Sequence, residues 1–335
     1  MSATSSIAVA GWGSYVPERV VTNAELELTL DTSDQWITER TGIRERHWVG
    51  PGESTATIAI EAGAGAVKDA GLTPSDIDLV IVATTTPDQL IPSTASFVAD
   101  GLGMTCGSFD LNAACAGFAY SVVVGGSMIA AGGSKNVLVI GAETLSRFIN
   151  PEDRGTAIIF ADGAGAAVLR ASEDKGSEAP GLLSWDLGCD GSLASLIEVR
   201  GGGSRSPFTA DSLMAGDQFI RMQGNEVFRR AVRAVVDSAT NVLNGAGLTA
   251  ADVDLFVPHQ ANVRIVDAVN SRLGIPMEKT VVNIDRFGNT SAASIPLAIV
   301  DAIEAGRLHD GDLVLLSGFG AGMTWASVLM RWGSR

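Results

Sequence analysis

Gly71-Leu-Thr-Pro-Ser-Asp-Ile-Asp-Leu-Val-Ile-Val-Ala-Thr84 is written a second time, with few changes, as Gly247-Leu-Thr-Ala-Ala-Asp-Val-Asp-Leu-Phe-Val-Pro-His-Gln260. The offset is 176 residues, about half of a 335-residue chain. Each copy has the same grammar: a Gly-Leu-Thr turn, an Asp-x-Asp entry, then an apolar run of strand length. A second pair agrees, Lys135-Asn-Val-Leu-Val-Ile-Gly141 against Asp312-Leu-Val-Leu-Leu-Ser-Gly318, at an offset of 177. A repeat this long is a duplicated domain and not a solenoid. Strand-like and helix-like segments alternate around it, so the fold class is α/β, built of two related halves. The halves are placed at 1–171 and 218–335, joined by a Gly- and Ser-rich connecting segment, 172–217. Within that segment, strand-like Leu182–Leu187 and Leu196–Val199 separate Glu173-Asp-Lys-Gly-Ser-Glu-Ala-Pro180 from Arg200-Gly-Gly-Gly-Ser-Arg-Ser-Pro207. The glycine-rich piece reads as an ordinary surface loop.

The second informative stretch is Asp110-Leu-Asn-Ala-Ala-Cys115-Ala-Gly-Phe-Ala-Tyr120. Ser108–Leu111 reads as a strand and Ala116–Ala131 as a helix, which leaves Cys115 where one hands over to the other. Free N–H groups and the positive end of the helix dipole favour an anion there, so a thiol should ionise more easily. The competing reading is a small buried residue, the commoner fate of an unpaired cysteine. Adding 176 to Cys115 gives position 291, inside Phe287-Gly-Asn-Thr-Ser-Ala-Ala-Ser-Ile-Pro296, which looks like a loop entering a second helix, Ser291–Ala305. The strand ending at Thr84 maps onto the one ending at Pro258-His259-Gln260. Cys115, His259 and Asn289 therefore all fall at strand exits or helix starts, the edge where sites form in parallel sheets. Two halves packed face to face would bring them together.

Composition narrows the classes of function. A formal charge of −15 argues against nucleic acid, which needs a basic footprint, and any acidic partner must meet a local basic patch. Hydrophobic residues at 46% and charged residues at 18% describe a folded globular chain, and no apolar run is long enough for a membrane helix. Met1-Ser-Ala-Thr-Ser-Ser lacks the basic start of a secretory signal. Cys106, Cys115 and Cys189 form an odd set without CxxC spacing, so neither disulfides nor a metal site is expected and the cytoplasm is the natural compartment. His47 reads as a surface residue and His309 as part of a turn. Asp76-x-Asp78 and Asp252-x-Asp254 could suggest metal ligands, but their repetition at strand entries favours turn chemistry.

Taken together, the motifs resemble the thiolase superfamily and, within it, the β-ketoacyl-acyl-carrier-protein synthase III family. The matching pieces are Asp31-Thr-Ser-Asp-Gln-Trp36-Ile-Thr-Glu-Arg40-Thr-Gly-Ile-Arg, Ala113-Ala-Cys115-Ala-Gly-Phe, Asp153-Arg154-Gly-Thr, Ala161-Asp-Gly-Ala-Gly-Ala-Ala, Gly224-Asn-Glu-Val-Phe228, Pro258-His259-Gln-Ala-Asn262-Val-Arg264 and Gly288-Asn289-Thr-Ser-Ala-Ala-Ser. Seven motifs in the family's order are far more specific than any one of them.

The resemblance implies a five-layered αβαβα thiolase-like fold and an acyltransferase that condenses an acyl-coenzyme A with malonyl-acyl carrier protein, starting fatty-acid synthesis. Cys115 would carry the acyl group as a thioester. The N–H groups of Cys115 and Ala321 would bind the oxyanion, although the family often has a third glycine where Ala321 stands. His259 and Asn289 would donate to the thioester oxygen during decarboxylation, provided His259 Nε2 carries the proton. Trp36 and Arg154 would flank the adenine of coenzyme A, Arg40 its phosphate, and Asn262 the pantetheine arm or a water. Phe228 and Ile91 would shape the acyl channel, Ile91 from near the partner's site in a homodimer; an aliphatic residue there leaves acetyl, short branched and medium primers open. Arg264, Arg229 and Arg272 are candidates for docking the acidic carrier protein, each with a solvated surface charge as the plain alternative. No metal or resident cofactor is implied.

Rival readings separate on sequence. A degradative thiolase wants a second cysteine in the C-terminal glycine loop, and residues 318–322 contain none. A hydroxymethylglutaryl-type synthase wants a glutamate near Thr84-Thr-Thr-Pro-Asp88, and that turn has none. A specialised ketosynthase that primes a polyketide or joins two acyl groups would keep Cys115, His259 and Asn289. A non-catalytic acyl-binding module would have no need of all three.

Overall fold

The computed structural model describes residues 7–172, 176 and 178–333. The N-terminal residues read for a secretory signal, and residues 173–175 and 177 of the expected connecting segment, lie outside the described residues.

The duplication is visible in the order of the strands. One sheet runs Ile7–Tyr15, Asp162–Ala171, Asn136–Thr144, Leu79–Ala83, Gly107–Leu111, with its first three strands antiparallel and its last three parallel. The other runs Gly181–Cys189, Thr324–Arg331, Leu313–Gly320, Leu255–Pro258 in the same antiparallel-then-parallel pattern. Its fifth strand is reduced to one parallel bridge, Phe256 to Thr280. Gly181–Cys189 is thus the counterpart of Ile7–Tyr15. The sequence reading set it in the connecting segment, and that boundary is corrected: the second half begins at Gly181, because this strand pairs along its length with Thr324–Arg331. Its exposed outer face hides the apolar run that marks the other core strands.

Both Asp-x-Asp entries are turn devices, and they are superposable in their bonding. Asp76 Oδ2 accepts from Thr73 N–H at 2.8 Å, and Asp252 Oδ2 from Thr249 N–H at 2.8 Å. Asp78 receives the Asn136 N–H and Asp254 the Leu313 N–H, each at 2.9 Å, which pins the two parallel strands in register.

Five layers follow from which faces are apolar. Leu79–Ala83 is buried throughout, as a strand covered on both faces must be. Thr55–Asp69 and Thr94–Gly101 cover the outer face of the first sheet. Gly224–Ala246 and Val263–Leu273, amphipathic helices, cover the outer face of the second. Between the sheets lie Gly117–Ala130 and Ser294–Glu304, apolar on nearly every side. Gly141 lets this middle layer close, since a Cβ there would stand 2.2 Å from Ala292 O. A fourth apolar cluster, around Leu26, Ile37, Ile158 and Ile220, forms a cap beside the sheets' carboxyl ends. Fully buried Arg46 ties it together, donating to Val21 O, Asn23 Oδ1 and Ile158 O at 2.8–3.2 Å. Among the described residues no helix is long and apolar enough to cross a membrane.

Candidate active site

A cavity of about 1560 Å³ opens where the two sheets' carboxyl ends and the cap meet. Cys115, His259 and Asn289 all line it, 174 residues apart in sequence at the extremes. Each sits on an element that the duplication places at this edge. Cys115 lies in a 3₁₀ turn, Ala114–Ala116, that leads into Gly117–Ala130. Its counterpart is the turn Ser291–Ala293 before Ser294–Glu304. Ala114 and Ser291 hold the same left-handed backbone, φ 47° and 49°, so the structural offset here is 177 and Cys115 corresponds to Ala292. The sequence alignment is thereby shifted by one residue.

The expectation of an easily ionised thiol is corrected. Burial pushes the Cys115 thiol up to about 12; a hydrogen bond from the Ser291 hydroxyl opposes the rise, and the Glu143 carboxylate adds to it. The helix proper starts at Gly117, one residue later than the sequence reading and two beyond the thiol, and desolvation outweighs a helix end worth about 1 kcal/mol.

His259 is buried and its imidazole is held neutral, its pKa depressed to about 3 by desolvation. Nδ1 lies 2.6 Å from Ser294 Oγ. That oxygen also accepts from the Gln260 N–H at 3.4 Å, which frees the hydroxyl hydrogen for Nδ1. This arrangement favours the tautomer protonated at Nε2. Asn289 is oriented from the other end of its amide: Oδ1 accepts the Ser291 N–H at 2.9 Å, leaving Nδ2 as the free donor. Its backbone is clamped against the cap by Ile159 O and Ala161 N–H, both at 2.9 Å. The site therefore offers two N–H donors and one sulfur. Gly320 and Ala321 reach the cavity from the end of Leu313–Gly320, so close that a Cβ on Gly320 would lie 2.5 Å from Cys115 N.

The outer residues sort less uniformly. Trp36 and Arg40 line the mouth, and both Arg40 and Arg154 place their guanidinium 4.6 Å from the Trp36 ring. Arg154 also donates to Asp31 O at 2.5 Å, so a base could stack on Trp36 in its place only if that cation moved. Asn262 lines the cavity but caps Val263–Leu273 through Oδ1 and donates to Arg40 O at 2.9 Å. Phe228 lines the channel, with the Arg264 guanidinium 6.0 Å above its ring. Arg229 is paired with Glu226 at 2.9 Å, whereas Arg272 is exposed at the far end of the Arg264 helix and away from the cavity. Ile91 does not line this cavity; it is 86% exposed beside Leu90 at 78%, so within one protomer it shapes no channel.

Two features escaped the sequence reading. Gly201, Gly202 and Phe208 of the glycine-rich segment line the cavity, so it is not an ordinary surface loop. And a glutamate does reach the Thr84–Asp88 turn in space: fully buried Glu143 accepts from Thr85 N–H at 3.1 Å and from the Thr85 and Thr86 hydroxyls at 2.9 and 2.8 Å. An acidic residue ending the otherwise apolar Val137–Ala142 run was the available signal.

The comparisons agree with this geometry. The model of the family described as 3-Oxoacyl-[acyl-carrier-protein (ACP)] synthase III matches residues 109–191, and that of its C-terminal part matches 243–332. A β-ketoacyl-[acyl-carrier-protein] synthase III of Desulfitobacterium hafniense is 50% identical over 331 residues, covering 98% of this chain and 99% of that protein. The crystal structure of the synthase III from Aquifex aeolicus superposes with a TM-score of 0.89 at 43% identity, over 97% of this chain and all of that one. A priming β-ketosynthase from a polyketide pathway reaches a TM-score of 0.90 at 35% identity, over 99% of this chain and 98% of that one. Half of its residues shared with such a relative from end to end, together with the thiolase-like architecture, make this chain a member of the β-ketoacyl-acyl-carrier-protein synthase III family, the condensing acyltransferases of fatty-acid synthesis.

Proposed function

We propose that Cys115, His259 and Asn289 divide a decarboxylative condensation between them. The observation that carries this is their convergence on one cavity with a neutral, Nδ1-anchored imidazole. In the first step Cys115 attacks the carbonyl of an acyl-coenzyme A, and the N–H groups of Cys115 and Ala321 receive the oxyanion. In the second, malonyl-acyl carrier protein loses carbon dioxide while charge builds on its thioester oxygen. His259 Nε2–H and Asn289 Nδ2–H are the donors for that oxygen, and a neutral imidazole neither repels nor traps the leaving carboxylate. The carbanion then attacks the Cys115 thioester. Coenzyme A enters as substrate, with Trp36, Arg40 and Arg154 as its anchor, and no resident cofactor is needed.

On a chain of net charge −15, Arg264 is the best docking point for an acidic carrier, being exposed at the cavity mouth. A homodimer is supported by the open edge Gly107–Leu111 and the exposed apolar Phe97, Phe109, Leu90 and Ile91 around it. The likeness to a polyketide priming enzyme keeps a specialised primer as the second reading. Intact-protein mass spectrometry after exposure to acyl-coenzyme A esters from acetyl to dodecanoyl tests both. Adducts on Cys115 from acetyl or short branched esters support fatty-acid initiation, adducts only from long esters support the second reading, and none at all removes the nucleophile. Cys115→Ser should form no thioester.

A further inference from the structure

We propose that Glu143 is the proton acceptor of the thiol, working through Ser291, and that it holds this proton for the whole life of the acyl-enzyme. The inference rests on the role given to Cys115 above. Glu143 Oε1 accepts from the Ser291 hydroxyl at 3.0 Å, and Ser291 and Cys115 stand on two 3₁₀ turns that line the same cavity, with the Ser291 hydroxyl acting on the thiol. Cys115, Ser291 and Glu143 thus form a continuous line from nucleophile to carboxylate. Glu143 is fully buried while Cys115 opens on the cavity, and the carboxyl is held above its ordinary range by desolvation.

The surroundings of Glu143 leave it one titratable partner. The Thr84–Thr86 turn faces it with hydroxyls and the Thr85 N–H, and Ser291 faces it from the second half. Asp88, on the same turn, points instead to Ala56 N–H and Thr94 Oγ1. His259, across the cavity, is neutral. The Cys115 thiol alone among these can trade a proton with the carboxylate, and the two share one negative charge as a coupled pair. Ser291 suits the exchange because a hydroxyl both accepts and donates. With the thiol protonated, S–H donates to Oγ and Oγ–H to Glu143; with the thiolate formed, both bonds reverse.

The protons balance across the two half-reactions. As Cys115 sulfur bonds the acyl carbon, its proton passes to Ser291 and that of Ser291 to Glu143. The C–S bond to coenzyme A breaks, and the coenzyme A thiolate takes a proton from solvent. Glu143 then stays neutral while the anionic malonyl group enters. After carbon dioxide leaves, the carbanion displaces Cys115 thiolate from the thioester, and Glu143 returns the proton through Ser291. The enzyme regains its thiol with no oxidant or co-reactant.

The test follows single-turnover acylation of the full chain by acetyl-coenzyme A, alongside alkylation by iodoacetamide, from pH 6 to 10. Glu143→Gln should acylate about a hundredfold more slowly at pH 7 and recover as pH rises. Its alkylation should follow the same profile, slow at pH 7 and recovering as pH rises, because both reactions draw on the thiolate. A structural role would slow both reactions by a factor that does not change with pH, and that result overturns the proposal, as does acylation at the wild-type rate. Ser291→Ala breaks the line while leaving Glu143 in place, and it should fold, since Ala114 adopts the same φ in the other half. It should lose acylation as Glu143→Gln does; normal acylation removes the relay. Failure of the wild-type chain to form any acyl-Cys115 would instead remove the nucleophile, and the relay with it.

Discussion

Gly320→Ala puts the closest contact in the site to a quantitative test. The added Cβ would stand 2.5 Å from Cys115 N, 2.9 Å from Ala114 Cβ and 3.1 Å from Cys115 Cβ. None of these atoms ends a flexible side chain, so either the Leu313–Gly320 strand or the Ala114–Ala116 turn must move by several tenths of an ångström. Overpacking of this kind costs about 1–3 kcal/mol. Unfolding entropy of about 2.1 cal/mol/K per residue, over 335 residues, is about 0.7 kcal/mol/K, so Tm should fall by roughly 1.5–4 °C. The catalytic loss should be larger, because the displaced atom is the N–H assigned to the oxyanion. Losing one such donor costs about 10²–10³ in rate. Thermal unfolding and single-turnover acylation measure the two effects separately. Gly191→Ala, where an added Cβ meets nothing within 4 Å, is the control and should change neither. Wild-type acylation by Gly320→Ala would refute the claim that this strand end sets the oxyanion geometry.

Other outcomes follow from the same geometry. His259→Ala should still take an acyl group onto Cys115 but lose condensation with malonyl-carrier protein by about 10²–10³; equal loss of both half-reactions would make His259 an activator of the thiol. Arg264→Glu should raise the KM for the carrier protein and spare the coenzyme A step, and an unchanged KM would place docking elsewhere. In acid, His259 binds a proton at about 6.5 when unfolded but only near 3 when folded, so the unfolded state gains as pH falls through that window. Stability conferred by neutral His259 is thus present above about 6.5 and is lost at up to about 1.4 kcal/mol per pH unit below it. Asp162, raised to about 6 by burial, acts in the opposite sense, so the comparison must be with His259→Gln. The variant's denaturant midpoint should fall less steeply between pH 6 and 4; parallel curves would show that His259 is not buried neutral.

Much of the architecture was legible because it is local and repeated. The Gly-Leu-Thr turn, the Asp-x-Asp entry and the apolar strand are short-range signals, and writing them twice exposed the duplication without any contact being known. The same repeat put Cys115, His259 and Asn289 on one edge, and all three meet there. What failed was whatever depends on a neighbour distant in sequence. Gly181–Cys189 was assigned to a connecting segment because its exposed face breaks the apolar pattern, and only pairing with Thr324–Arg331 makes it a sheet strand. The thiol's pKa was misjudged because a helix start is visible in sequence and desolvation is not. Glu143 went unnoticed because its partners, Thr84–Thr86 and Ser291, come from 57 residues before and 148 after. Sequence alone determined the repeat, the strand exits and the residue types at them, since backbone periodicity and turn chemistry act over a few residues. Tertiary structure alone decided which groups lose water, which donors face which acceptors, and hence which protons can move, since dielectric and hydrogen-bond geometry belong to the packed interior where the two halves meet.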